Sequence, residues 1–500
     1  MTEQPPVAPP PAGGEALDLA TLLAPVDVTA TRGPVAACRP RGLAWDSRRV
    51  APGDLFFCLP GAATDGHDHA AAAVAAGAVA LVVEHLVDER LLGGGGPGAG
   101  VAQAAVADAR LAMALVASAF HGHPSRRLDV VGVTGTNGKT TVAHLLGAVL
   151  TAAGRVHEVI GTLTQSLTTP EAPELTARLA RLVAAGGEAA AMEVSSHALV
   201  QRRVAGTSFA VAVFTNLSED HLDFHPSMEA YYEAKASLFD PARVATAVIG
   251  TDDAWGRRLA AETAVPVVAW SLADAEDLRT GPGGSVWRWR GQDVRLRLPG
   301  LHNVANAVAA STAAEAVGVQ PAAVTAGLAA VVGVPGRFEL VDGGQPFPVI
   351  VDFAHTPAAL AAVLEAARGL TGPGGRVVVA FGCGGDRDRA KRALMGAAAA
   401  AGADVVVVTS DNPRSEDPAS IAAEVLAGVP AATGAEVVLE LDRAAAIALA
   451  LGAARPGDAV VVAGKGHEVE QVEGDRRRPF DDRRVAAGVL ARLGHGAGGR

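Results

Sequence analysis

Residues 130–141, VVGVTGTNGKTT, set two glycines, a lysine and two threonines between an apolar run and a helix-forming stretch, TVAHLLGAVLTAAG. Those residue types in that order suit phosphate. Gly135 and Gly138 let the backbone approach an anion closely, the first amides of the helix attract it, and Lys139 reaches the terminal phosphates. Thr140 offers a hydroxyl to Mg²⁺, so the loop Gly135, Thr136, Asn137, Gly138, Lys139, Thr140 and Thr141 is the candidate nucleotide site. Only two residues separate Gly135 from Gly138, fewer than in the common GxxxxGK[ST] loop. The plainer alternative is a Gly/Asn turn before a helix with an ordinary surface lysine. Strand, turn and helix in register favour phosphate.

Two further residues carry charge where apolar side chains surround them. Glu193 closes the apolar run AAAMEV and is followed by SSH. A carboxylate in such a run is costly unless paired or metal-bound; the alternative is a strand-end carboxylate facing solvent. In MEAYYEAKASLF, residues 228–239, a helical period puts Met228, Tyr231, Tyr232, Leu238 and Phe239 on one arc with Lys235 at its middle. A lysine there either snorkels or sits buried and neutral. A neutral amine can take up CO₂ as a carbamate, which turns a cation into an oxygen ligand for Mg²⁺.

The elements that must position these groups read as α/β. Short apolar runs recur at 128–133, 189–194, 211–217, 347–353, 376–382, 403–410 and 458–466, separated by Ala-rich helical stretches. That alternation predicts βαβ units and mainly parallel sheets, whose ligands bind beyond the carboxyl ends of the strands. The motifs lie at those ends. With 500 residues, about three domains are expected. We place a Pro/Ala/Gly-rich disordered tail at 1–18, an N-terminal domain at 19–125, a central domain at 126–339 and a C-terminal domain at 340–495. The glycine-rich stretch 93–100 reads as a surface loop.

Composition narrows the function classes. Hydrophobic residues make up 49% and aromatic residues 4%, so Ala, Val and Leu must fill the cores, as in buried parallel sheets. With 42 basic and 53 acidic residues, net −11, a general nucleic-acid surface is not expected. Cys38, Cys58 and Cys383 are far apart and lack CxxC spacing, which supports neither a disulfide framework nor a structural zinc site. No apolar run reaches the length of a membrane span, and the first residues lack a signal-peptide pattern. A cytoplasmic protein is expected.

DSRRVAPGDLFFCLPG (46–61), GTNGKTT (135–141), TTPE (168–171), MEVSSHAL (192–199) and TNLSEDHLDFH (215–225) are followed by LHNVANA (301–307) and PGRFE (335–339). DFAHTP (352–357), GCGGDRDRAKR (382–392), SDNPRSEDP (410–418) and AGKGHE (463–468) complete the series. Together, and in this order, they resemble the Mur ligase family over nearly the whole chain from about residue 43. The resemblance implies a UDP-binding domain, a central P-loop-type ATPase domain and a C-terminal Rossmann-like domain for the incoming amino acid. It implies that Lys235 is the family's carbamylated lysine, and that Thr140, Glu193, His221 and that carbamate surround Mg²⁺. Ser47, Thr168, Thr169, Ser195, Gln201 and Arg203 match nucleotide-sugar positions, while Asn303, Arg337 and Asp352 match positions around adenine and ribose.

Asp411, Asn412, Pro413 and Arg414 resemble the family's signature for meso-diaminopimelate, with Arg387, Gly464 and Glu468 as further contacts. The physical reason is direct: this substrate carries a second carboxylate beside its distal amine. An arginine fork takes a carboxylate bidentately, and Asp411 or Glu468 can take the ammonium. The simpler alternative is an Asx-Pro turn capping the next helix, which does not by itself call for arginine. The sequence departs from the family's pattern at Leu167, where Asn is common, and at Phe353, where Tyr is usual.

The implied reaction is ATP-dependent addition of meso-diaminopimelate to UDP-N-acetylmuramoyl-L-alanyl-D-glutamate through an acyl phosphate, in peptidoglycan synthesis. Lys139, Lys235 and His221 are its candidate catalytic groups. Its partners are these small molecules, and a monomer is expected. L-lysine as acceptor, a folylpolyglutamate synthase-like ligase and a non-catalytic nucleotide-binding scaffold are the competing readings.

Overall fold

The computed structural model describes residues 17–61, 64–92, 100–164, 167–281 and 283–495. The tail expected at 1–18 therefore falls outside them as far as residue 16, and the surface loop expected at 93–100 does so over 93–99. The expected alternation of strands and helices forms three main sheets, each with a valine- and alanine-rich interior.

In the first sheet the spatial order is Val28–Arg32, Ala102–Val106, Ala80–Val83, Asp54–Phe57 and Gly42–Ala44. All neighbours are parallel except the first pair. The second sheet is wholly parallel, in the order Val267–Trp270, Val244–Gly250, Phe209–Phe214, Asp129–Thr134, Ala189–Glu193 and His157–Ile160. Its neighbouring strands Asp129–Thr134 and Ala189–Glu193 end side by side, and so bring the phosphate loop next to Glu193. The third sheet runs Glu339–Leu340, Val349–Asp352, Ala459–Ala463, Val377–Phe381, Val405–Val408 and Glu436–Leu439. Only its short first strand is antiparallel.

Two smaller elements complete the picture. Strands Glu276–Gly281, Gly284–Trp289 and Gln292–Leu296 form an antiparallel sheet whose Trp287 and Trp289 join the core of the second sheet. A hairpin, Glu470–Glu473 with Arg476–Pro479, stands beside the third sheet. The helix expected over 228–239 ends earlier, at Met228–Ala236, with Ser227 as its cap. Leu238 and Phe239 are still buried, but they follow the helix rather than belong to it.

Candidate active site

Strand Asp129–Thr134 delivers the chain into a tight loop and then into helix Lys139–Ala152. Gly135 at φ 145° and Gly138 at φ 91° occupy conformations that L side chains rarely adopt, and a Cβ would strike Thr215 at the first and Asn306 at the second. No side chain caps the helix, so its first amides keep the positive potential that favours anions. The loop is held from below: Thr136 Oγ1 donates to Ser218 O at 3.1 Å and Thr215 Oγ1 donates to Asn137 O at 2.6 Å.

Lys139 Nζ donates to Gly135 O and Thr136 O, both at 2.8 Å, folding over the loop it serves. Glu193 is only 2% exposed. Its carboxylate accepts the Thr140 hydroxyl and the Thr162 amide, each at 2.7 Å, so the alternative of a solvent-facing carboxylate is overturned. Arg337 Nη2 donates to Thr140 Oγ1 at 3.0 Å, and its guanidinium lies 4.5 Å from the ring centroid of Phe353. The aromatic face rather than a ring hydroxyl meets the cation, so phenylalanine suffices there.

Lys235 is 1% exposed, which removes the snorkelling alternative. Its amine donates to Gly135 O at 2.7 Å and sits 4.5 Å from the Tyr231 ring centroid. Burial, then the neighbouring Lys139, pulls its pKa well below the usual lysine range, opposed by Asp220. Burial pushes the His221 ring down to about 3, helped by His197 and Lys139 and opposed by Asp220, so the ring is neutral near pH 7. Thr140 and Glu193 supply the oxygen donors a hard dication prefers. Among the described residues no group of three or more His, Cys, Asp or Glu side chains forms a metal cage.

In the third sheet, the ends of strands Val377–Phe381, Val405–Val408 and Ala459–Ala463 carry the second cluster. Arg414 takes φ 52° and donates from Nη1 to Gly385 O at 2.6 Å. Burial, then Arg387, lowers its pKa; two guanidiniums this close favour an anion between them. Asn412 Nδ2 donates to Glu468 Oε2 at 2.8 Å, and Lys465 Nζ donates to Asn412 Oδ1 and Glu468 Oε2, both at 3.0 Å. Beneath, fully buried Arg443 pairs with Asp482 at 2.7 Å and donates to Ser410 O and Ala463 O.

One cavity of about 710 Å³ joins the two clusters. Its lining includes Thr136 to Thr141, Thr168, Glu193, Ser195, His221, Lys235, Asn303, Arg337 and Asp352 from the expected set, together with Arg387, Asp411, Asn412, Arg414, Gly464 and Glu468. Asp352 spends its two oxygens on the amides of Phe338 and Ala354, and Asn303 Nδ2 donates to Pro299 O. Gly135, Thr169, Gln201, Arg203 and Pro413 stand behind the lining. Thr169 is fully buried, donating to Glu193 O and accepting from Ser195 N, and Arg203 donates to Thr169 O and Gln201 Oε1. Ser47 lies apart, opening a short 3₁₀ turn beside a small pocket lined by Trp45, Asp46 and Arg49.

Sequence reasoning gave no role to Asp220, Lys391, Lys465 or Thr162. Asp220 is 2% exposed and meets Lys391 Nζ at 3.3 Å and His355 Nε2 at 3.6 Å. Against burial, which would raise it, His355, His221 and Lys391 hold its carboxyl well below the usual range. The available signal was that Asp220, Lys391 and Lys465 each lie inside a quoted motif; Thr162 lies in none.

Comparison with known proteins gives a consistent result. The Mur ligase family catalytic-domain model matches residues 40–127, the Mur ligase middle-domain model 133–314, and the Mur ligase glutamate-ligase-domain model 336–466. A Solibacter usitatus protein named UDP-N-acetylmuramoyl-L-alanyl-D-glutamate--2,6-diaminopimelate ligase is 45% identical over 91% of this chain and 94% of its own. A Streptomyces coelicolor protein of the same name is 45% identical over 89% and 91%. A solved structure with that name, 32% identical, superposes with a TM-score of 0.66 over 96% of this chain and 100% of its own.

Proposed function

The chain belongs to the Mur ligase family, and on that premise we propose that it joins meso-2,6-diaminopimelate to UDP-N-acetylmuramoyl-L-alanyl-D-glutamate, driven by ATP, in peptidoglycan synthesis. The observation that carries this reading is a single cavity lined both by the phosphate loop and by Arg387, Asp411, Asn412 and Arg414. ATP at the loop and an amino acid at the guanidiniums would meet across it. We assign the UDP-substrate to residues 19–125, ATP to 126–339 and the amino acid to 340–495.

The glutamyl carboxylate attacks the γ-phosphorus, ADP leaves, and an acyl phosphate results. The amine then attacks the acyl carbon, the tetrahedral intermediate expels phosphate, and the nitrogen's proton passes to the departing phosphate. Loop amides and Lys139 hold the phosphates in line, and Arg337 adds charge beside Thr140. The work is positioning and charge neutralisation, so no protein nucleophile is required. Thr140, Glu193, His221 and a carbamate on Lys235 would hold Mg²⁺, which when bound offsets phosphate charge.

Arg387 and Arg414 would take the distal carboxylate while Asp411 and Glu468 receive the distal ammonium. Ser195 and Thr168 line the cavity near Glu193 and suit the muramoyl-peptide end, with Ser47 marking the nucleotide end farther away. Every group invoked belongs to one chain, so a monomer suffices. The cytoplasm supplies ATP and nucleotide sugars and keeps the three free cysteines reduced.

The test is phosphate release from ATP with the UDP-dipeptide and a panel of amino acids. Release with meso-diaminopimelate far above release with L-lysine is expected. Preference for lysine would overturn the acceptor assignment, and release independent of any amine would overturn the ligase reading.

A further inference from the structure

The loop that carries Arg414 is held from outside the cavity. Hairpin residues 470–479 contribute nothing to the cavity lining, yet they grip the loop at four atoms. Gln471 Nε2 donates to Asp411 O at 2.7 Å. Val472 N donates to Asn412 Oδ1 at 3.0 Å. Arg414 N donates to Val472 O at 3.0 Å, and Gly474 N donates to Arg414 O at 2.6 Å. Pro413, which has no N–H, is the one residue of the four without such a bond.

Arg414 needs this support. At φ 52° it occupies the left-handed region, which a residue with a Cβ keeps only when its surroundings over-determine it. Both its backbone polar groups are engaged by the hairpin, so the direction in which its guanidinium leaves the chain is set there. Gln471 is the one hairpin side chain among those four bonds: it is 2% exposed, and its Oε1 accepts Arg478 Nε at 3.1 Å and Nη2 at 2.7 Å. A buried amide with donor and acceptor both satisfied has one orientation. Arg478 thus fixes Gln471, and Gln471 fixes Asp411.

We propose that Gln471 is a positioning residue for amino-acid selection, acting through the Asp411 carbonyl to hold Asp411, Asn412 and Arg414 in register with the substrate's distal end. The proposal rests on the acceptor assignment above only for the identity of the amine. Gln471 touches no substrate, and its effect is confined to the amino-acid side of the cavity.

Gln471→Glu keeps the acceptor for Arg478 but turns an oxygen toward the Asp411 carbonyl; Gln471→Met removes both bonds at similar length. In the full chain each raises KM for meso-diaminopimelate about tenfold, the size of one lost buried hydrogen bond. kcat and the KM for ATP and for the UDP-dipeptide stay within about twofold, and the preference over lysine narrows. Arg478→Met, at an exposed position, gives a smaller shift of the same kind and serves if the buried substitutions unfold. Unchanged KM for the amino acid, or a parallel rise for ATP and UDP-dipeptide, overturns the proposal. Should the wild type prefer another amine, the acceptor assignment falls, and the KM for that amine decides the role of Gln471 by the same criteria.

Discussion

The amines of Lys139 and Lys235 converge on one acceptor, the carbonyl oxygen of Gly135, at 2.8 and 2.7 Å. Two protonated amines sharing one carbonyl in a buried site would repel each other, and burial together with Lys139 drives Lys235 toward its neutral form. The neutral amine is the form that takes up CO₂, and a carbamate on Lys235 would set a negative charge beside Lys139. Lys139 would then face phosphates on one side and a carboxylate-like group on the other.

Lys235→Ala is therefore expected to lower kcat by at least about 10²–10³-fold, the range for loss of one preorganised electrostatic group. Formate or acetate should restore part of the rate by filling the vacated space with an anion. A ¹³C carbamate resonance in protein equilibrated with labelled bicarbonate, absent from the variant, is the direct check. Normal turnover by the alanine variant would eliminate the carbamate.

Arg414→Ala removes the guanidinium that would face the distal carboxylate. Leaving a buried charge without its partner costs about 2–5 kcal/mol, so the KM for meso-diaminopimelate should rise by about thirtyfold or more. Turnover with lysine, which lacks that carboxylate, should change little. Steady-state kinetics with both amines decides; an equal loss for both would show that Arg414 supports the loop rather than the specificity.

Much of this arrangement was legible in the chain. The phosphate loop was readable because strand, glycine turn and helix follow one another locally, and Lys235 because a charge at the centre of an apolar arc has few explanations. Asp220 was not readable as a partner of Lys391: 171 residues separate them, and only tertiary packing brings the second and third sheets together. Gln471 was equally silent, since a glutamine in a polar hairpin looks like any surface residue until the Asp411 carbonyl is seen against it. The helix end at Ala236 was missed because the apolar pattern continues into Leu238 and Phe239 after the backbone has turned.

Asp220 offers a test of how the two sheets are coupled across the cavity. Asp220→Asn and Lys391→Met should each lower kcat/KM about tenfold or more, and the double variant should be little worse than the poorer single one, since both break the same contact. Additive losses in a double-mutant cycle would mean that the two residues act independently. High salt should have little effect on the coupling, because the pair is buried.

His121 gives a pH prediction away from the active site. It follows helix Ala109–Phe120, is 8% exposed, and neither ring nitrogen has a hydrogen-bond partner among the described residues. Burial, then the charge of Arg181, lowers its pKa from 6.5 to about 4. Between those values the unfolded chain binds a proton that the folded chain refuses, so this group makes stability rise with pH and fall as pH drops from 6.5 toward 4. For a full proton difference the slope is about 1.4 kcal/mol per pH unit. His121→Leu should flatten that dependence, because nothing at the site then titrates. Hydrogen exchange over Ala109–Phe120, followed from pH 7 to pH 4.5 after correction for intrinsic exchange rates, reads the local effect without assuming that the whole chain unfolds as one unit. The wild type should lose protection across that range and the variant should lose less; identical profiles would place the proton elsewhere.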